Sequence, residues 1–154
     1  SQRSSLRPTL WLCLGWALLS ELAQGSLTLT RSAEVGDVVA ELIVGIQRDP
    51  QFGLALVVGA GGILVELVED AAMLLLPTNA EEVEAAIRKL KIFKLLQGYR
   101  GKKGADLPAL VKTVMAIAAF AEAHRADLLE LDVNPLMVRA DGAVAVDALV
   151  VLGE

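Results

Sequence analysis

At 154 residues, 55% of them hydrophobic and 21% charged, the chain can bury one good core and at most a partial second unit, and it is not globally disordered. A net charge of −5 excludes the electrostatic footprint of a general nucleic-acid binder. With one cysteine, Cys13, and one histidine, His124, there is no intrachain disulfide or cysteine metal cluster, and no histidine metal pair or serine–histidine triad stands out.

Residues 1–37 differ in texture from the rest. Arg3 and Arg7 precede an apolar run, Leu10 to Leu19, which holds Trp11, Cys13 and Trp16, and the small-residue site Ala23-Gln24-Gly25 follows. That is the layout of a secretory signal peptide, on a run too short to span a bilayer comfortably. A buried helix and a non-native extension are the alternatives. A chain that begins at Ser1 rather than Met is expected of a fragment. Ser26 to Gly36 is polar and turn-like, as in a linker. The extension 1–37 is therefore set apart from a folded unit over 38–154, and that unit has the character of a cytoplasmic protein with no membrane partner.

From Val39 to Gln47 the β-branched and apolar residues predict a strand, ended by Arg48-Asp49-Pro50-Gln51-Phe52-Gly53. Leu54 to Val58 is its hairpin partner and runs into Gly59-Ala60-Gly61-Gly62. Ile63 to Val68 and Met73 to Leu76 supply one or two further strands, so an antiparallel sheet is expected. The period then changes. Thr78-Asn79-Ala80-Glu81 reads as a capping box, and Val83, Ile87 and Leu90 recur at helical spacing, predicting a helix that reaches about Leu96 and stops at Gly98. After the basic, glycine-flanked stretch Tyr99 to Gly104, Asp106 caps a second helix that accepts Pro108 in its first turn. Its apolar face is Leu107, Leu110, Val111, Val114, Ile117, Ala118 and Ala121, and it ends near His124-Arg125, where cations suit the helix C-terminus.

The chain closes on Glu130-Leu131-Asp132-Val133-Asn134-Pro135-Leu136 and Ala143-Val144-Ala145-Val146-Asp147-Ala148, joined through Asp141-Gly142, a strong hairpin signal. Asp132 and Asn134 share a face of one strand, and the hairpin brings Asp147 back from the other. Two carboxylates and one amide oxygen suit a Mg²⁺ that keeps waters and bridges phosphates; a polar hairpin edge is the plainer alternative. Other features are weaker by themselves. The turn Gly59 to Gly62 allows close approach to an anion, or is only a tight turn; it is neither a Walker loop nor a Rossmann fingerprint. Arg48 and Asp49 contact phosphate and metal, or form an exposed turn pair. Glu66 helps hold metal or position a basic group, or is an exposed strand residue. Arg88, Lys89, Lys91, Lys94, Arg100, Lys102 and Lys103 steer an anionic ligand such as a nucleotide or coenzyme A, or are a solvated face.

Taken in order, Glu41-Leu42-Ile43-Val44-Gly45, Arg48-Asp49-Pro50-Gln51-Phe52-Gly53, Gly59-x-Gly61-Gly62-Ile63-x-x-Glu66, Gly98-Tyr99-Arg100-Gly101, Glu130-Leu131-Asp132-x-Asn134-Pro135-Leu136 and Ala145-Val146-Asp147-Ala148 resemble one family. It is the ATP-grasp domain of NDP-forming acyl-CoA synthetases, among them ADP-forming acetyl-CoA synthetases and succinyl-CoA synthetase β subunits. The resemblance covers about residues 38–152. It implies an α+β fold, the C-terminal ATP-grasp subdomain, with an antiparallel sheet and two helices. It implies an acid–CoA ligase in which Mg·ATP phosphorylates an enzyme histidine, the phosphoryl group is exchanged with an acyl phosphate, and coenzyme A attacks the latter. Asn134 and Asp147 match the family's Mg²⁺ ligands, with Asp132 at the acidic position beside them. Arg48 matches a catalytic position in the phosphate region, and Gly59, Gly61, Gly62 and Glu66 match its nucleotide-binding motifs. The cofactors implied are Mg²⁺ and ATP/ADP.

The N-terminal half of the ATP-grasp domain, with its lysine, adenine contacts and histidine loop, has no counterpart in residues 1–37, and no coenzyme A domain is present. His124 matches no phosphohistidine position. The isolated chain is therefore expected to be inactive, with the missing half and a coenzyme A-binding domain or subunit as partners. The apolar surface they leave should make it self-associate. The alternative is a non-catalytic fragment or binding module of the same fold.

Overall fold

The computed structural model describes residues 28–29, 37–61 and 69–153. The signal-like run, the strand expected over 63–68, and the site candidates Gly62 and Glu66 lie outside the described residues.

The described chain runs β1 (Thr28–Leu29), β2 (Ala40–Asp49), β3 (Gly53–Ala60), β4 (Ala71–Leu75), α1 (Ala80–Arg88), α2 (Phe93–Leu96), α3 (Leu107–Ala123), β5 (Leu128–Arg139), β6 (Gly142–Ala145) and β7 (Ala148–Leu152). One seven-stranded sheet holds all the described strands in the order β1-β6-β5-β2-β3-β4, with β7 continuing β6 along the same edge of β5. Every pairing is antiparallel except that of β1 with β6. β1 falls within the stretch read as turn-like; it adds a short parallel strand at the edge of β6.

Alternation decides which face of the sheet is covered. Leu42, Val44 and Ile46 of β2, Leu54, Leu56 and Val58 of β3, and Leu131, Val133, Leu136 and Val138 of β5 are buried in one core. The helices complete it with Val83, Ile87, Leu110, Val114, Ile117 and Ala121. The residues between them, Ile43, Gly45, Gln47, Glu130 and Asp132, point to the other face, which no helix among the described residues covers. Each core leucine or isoleucine removed from water contributes roughly 1.5–3 kcal/mol, so the helix-covered face holds the fold together and the other is left to chemistry.

The first helix starts one residue later than the Thr78–Glu81 box: Asn79 is the cap, its side chain accepting the Glu82 N–H at 2.8 Å, and the Thr78 hydroxyl instead donates to the Glu82 carboxylate at 2.7 Å. It does not reach Leu96. It ends at Arg88 and restarts as α2, so among the described residues there are three helices rather than two. The cause is Asp70, just before β4, whose two carboxylate oxygens accept the N–H groups of Lys91 and Ile92 at 2.7 Å each. α3 matches its prediction: Asp106 accepts the Ala109 N–H at 3.0 Å, Pro108 sits in the first turn, and His124 is the C-cap. Among the described residues no helix is long and apolar enough to cross a membrane, which leaves strands aside.

Candidate functional site

The candidate site lies on the uncovered face, where the outer edge of β5 is interrupted. β6 pairs with residues 136–139 and β7 with residues 128–133, and Val146-Asp147 separates them. Opposite this break stand Asn134 and Pro135. The Asn134 N–H donates to the Asp147 carbonyl at 3.1 Å, and the Val146 N–H donates to the Pro135 carbonyl at 3.1 Å. Asn134 and Asp147 are thus facing residues of an antiparallel pair, and facing side chains leave the sheet on one side. On the inner edge the register with β2 shifts between Leu42 and Val44, a β-bulge at the same point. Bulges re-aim side chains, and here one does so beside three oxygen-bearing residues.

Asp132 shares that face. It pairs with Gly45 on one side and Leu149 on the other, and it is half-buried. Its carboxyl binds a proton more tightly than usual, first because burial penalises the charge, then because Glu130 and Asp147 repel it. Asp147 is exposed, and one of its carboxylate oxygens accepts the Ala148 N–H at 2.9 Å. Among the described residues no three histidine, cysteine, aspartate or glutamate side chains converge to hold an ion. The set is two carboxylates and an amide, which fits a Mg²⁺ that takes one or two carboxylates and completes its shell from phosphates and water.

A raised carboxylate pKa has a sign that stability can report. Folded Asp132 holds its proton to higher pH than the unfolded chain does, so stability falls as pH rises from the unfolded value through the folded one. Asp132→Asn should flatten that fall in urea unfolding series run between about pH 4 and 7, where carboxyls titrate. An unchanged slope would mean that the carboxyl is not destabilised by its neighbours.

Beside Asp132 lies a cavity of about 160 Å³ lined by Ile43, Gly45, Gln47, Val57, Glu130, Leu131 and Asp132. A methyl group at Gly45 would meet the Leu131 carbonyl at 3.6 Å and Asp132 Oδ1 at 3.9 Å, ordinary contacts. Chain packing therefore does not demand glycine at 45; its effect is to leave space. Gly45, Gln47 and Glu130 were not singled out as site residues from the sequence. A glycine inside a predicted strand, flanked by residues of the open face, is the signal that marks such a place.

Among the described residues, the remaining candidates, Arg48, Gly59 and Gly61, are not brought together with Asn134 and Asp147. Arg48 stands on the helix side: its Nε donates to the Leu128 carbonyl at 2.9 Å and its Nη2 to the Arg125 carbonyl. That ties the end of β2 to the turn between α3 and β5, and it aims the guanidinium away from Asp132. Asp49 caps its own turn, accepting the Gln51 and Phe52 N–H groups at 2.7 and 2.9 Å. Gly59 and Gly61 answer to packing. A Cβ on Gly59 would lie 2.6 Å from the Asp70 carbonyl, and one on Gly61 3.2 Å from the Leu42 backbone. Gly59→Ala should therefore destabilise the chain by about 1–3 kcal/mol, the usual cost of overpacking, read as a lower urea midpoint. No change would show that β3 and β4 can part there freely.

Residues 26–152 match the model of the ATP-grasp domain family. Acetate–CoA ligase [ADP-forming] I of Archaeoglobus fulgidus is 38% identical over 114 residues, 74% of this chain and 16% of that one. The β subunit of acetate–CoA ligase [ADP-forming] I of Pyrococcus furiosus is 38% identical over 112 residues, 73% of this chain and 48% of that one. The chain thus spans about half the length of the curated β subunit and about a sixth of the Archaeoglobus ligase. Among solved structures, the dinucleotide-forming acetyl-coenzyme A synthetase 1 of Ca. Korarchaeum cryptofilum, in complex with coenzyme A and Mg-AMPPCP and with a phosphohistidine segment pointing towards its nucleotide-binding site, superposes with a TM-score of 0.71. The identity is 32%, over 77% of this chain and 55% of that one.

Proposed function

Since the chain belongs to the ATP-grasp domain family, whose relatives named above are ADP-forming acid–CoA ligases, we propose that it forms the Mg²⁺- and nucleotide-binding half-site of such a ligase. The observation that carries this is the facing pair Asn134 and Asp147 at the break between β6 and β7, with Asp132 on the same open face. Asn134 and Asp147 would hold the ion, which when bound would neutralise charge on the nucleotide phosphates. Phosphoryl transfer is mostly positioning and charge neutralisation, and these residues supply both. The Ala148 N–H orients the Asp147 carboxylate. Asn134 adds a neutral oxygen without adding repulsion. Asp132 stands beside that pair on the same face, where burial and the neighbouring Glu130 and Asp147 raise its carboxyl above the ordinary range, a strain that a bound cation would relieve. The cavity over Gly45 gives part of the nucleotide, or of its phosphoryl acceptor, a seat on the same face.

The nucleotide's other contacts come from a second unit. Exposed Met73 and Leu75, on the open face of β4, support such a cover. The direct test uses Mn²⁺ with ADP as a paramagnetic stand-in for Mg²⁺. Amide signals of Asn134, Asp147 and Ala148 should broaden first. Broadening centred on Gly59 and Gly61, or spread evenly over the acidic surface, would end this reading.

A further inference from the structure

The helix layer carries a second charged feature, which the nucleotide reading leaves unused. Residues 88–103 hold seven of the chain's fourteen lysines and arginines and no acid, in a protein of net charge −5. Arg88 is accounted for: it pairs with Glu84 at 3.4 Å and lies over the Phe93 ring. Among the described residues, none of Lys91, Lys94, Arg100, Lys102 and Lys103 has an acidic partner, and all five are exposed. Like charges gathered without partners repel one another, so this arrangement costs stability in the free chain.

Arg100, Lys102 and Lys103 sit on a tightly closed loop. The Ala105 N–H donates to the Leu96 carbonyl at 2.8 Å, shutting the neck of the loop Gly98–Gly104, and the Lys102 N–H donates to the Tyr99 carbonyl at 3.1 Å inside it. A Cβ on Gly98 would lie 2.7 Å from the Lys102 carbonyl, and one on Gly104 2.9 Å from the Leu96 carbonyl, so the neck admits only glycine. Arg100, at φ 52°, sits in the left-handed region and lies over the exposed Tyr99 ring at 5.2 Å. Leu95 and Tyr99 are exposed at 41% and 56%, the large apolar side chains of this surface.

We infer that Leu95, Tyr99 and Arg100, ringed by Lys91, Lys94, Lys102 and Lys103, form a docking surface for an acidic protein segment. An aromatic and an arginine at the centre with cations around them is the composition of a protein-binding hot spot with a steering rim. The loop projects from the junction of α2 and α3, which suits another chain or domain better than a small molecule. Nucleic acid fits poorly, because the net charge of the whole chain opposes a polyanion that must lie along it.

The test uses the full chain and a fluorescein-labelled peptide of mixed Glu and Asp carrying a central Leu, followed by anisotropy. Saturable binding is expected, weakening about tenfold between roughly 50 and 200 mM salt. The double variant Lys102→Glu, Lys103→Glu should abolish it, and Tyr99→Ala should weaken it at both salt concentrations. Lys112→Glu, an exposed cation on α3, should leave it unchanged. The variants lie on exposed positions, and matched thermal midpoints show that they fold. No saturable binding, an equal loss with Lys112→Glu, or tighter loop-dependent binding of duplex DNA or phosphatidylserine vesicles would overturn the inference.

Discussion

Asp147→Asn is expected to weaken Mg·ADP binding by about 1–3 kcal/mol, the range for losing a charged partner of an ion or hydrogen bond. The substitution keeps shape and volume, so an oxygen can still accept the Ala148 N–H that orients the side chain. What changes is one unit of negative charge beside the proposed ion. Calorimetric titration of Mg·ADP measures it best on the chain reconstituted with the N-terminal half of a related enzyme, because Mg²⁺ depends on phosphates for much of its shell. Asn134→Ala should fall in the same direction but by less, since a neutral amide oxygen is lost and water replaces it. Removing charge at Asp147 also relieves Asp132, so the Asp132 carboxyl should shift back towards its ordinary range. Equal affinity of wild type and Asp147→Asn would take Asp147 out of the site.

How much of this was legible in the sequence depends on whether the signal was local. The hairpin through Asp141-Gly142, the Asp106 cap and the Pro108 start are decided by neighbouring residues, and each appears where expected; Gly142 has φ 147°. The pairing of Asn134 with Asp147 also follows from a hairpin, once its register is known. Arg48 shows the limit. Its place in a motif pointed to phosphate, but strand alternation sets it on the side of Leu42 and Ile46, where the Leu128 and Arg125 carbonyls accept its N–H groups. The glycines at 59 and 61 mark close approach as the sequence suggested, but what approaches is the Asp70 and Leu42 backbone. Gly45 and the cavity beside Asp132 needed the cross-strand register, which composition does not carry.

Asp70→Ala should lower stability by about 3 kcal/mol, more than any surface change, because two amide N–H groups lose a charged acceptor together. Asp70 is 9% exposed and joins elements far apart in sequence: it precedes β4, and its carboxylate oxygens hold Lys91 and Ile92 where α1 gives way to α2. Nothing local in residues 88–96 breaks a helix; there is neither proline nor glycine. The chain bends because this acceptor outcompetes the continuing helical ladder for two donors. Asp70→Asn should recover only part of the loss, since its amide nitrogen meets one N–H donor with another. Urea midpoints give the stabilities, and hydrogen exchange gives the mechanism: in Asp70→Ala the Lys91 and Ile92 amides should exchange faster than those of α3. If the midpoint moves by less than about 0.5 kcal/mol, the range of ordinary surface substitutions, the break between α1 and α2 is held by something other than Asp70.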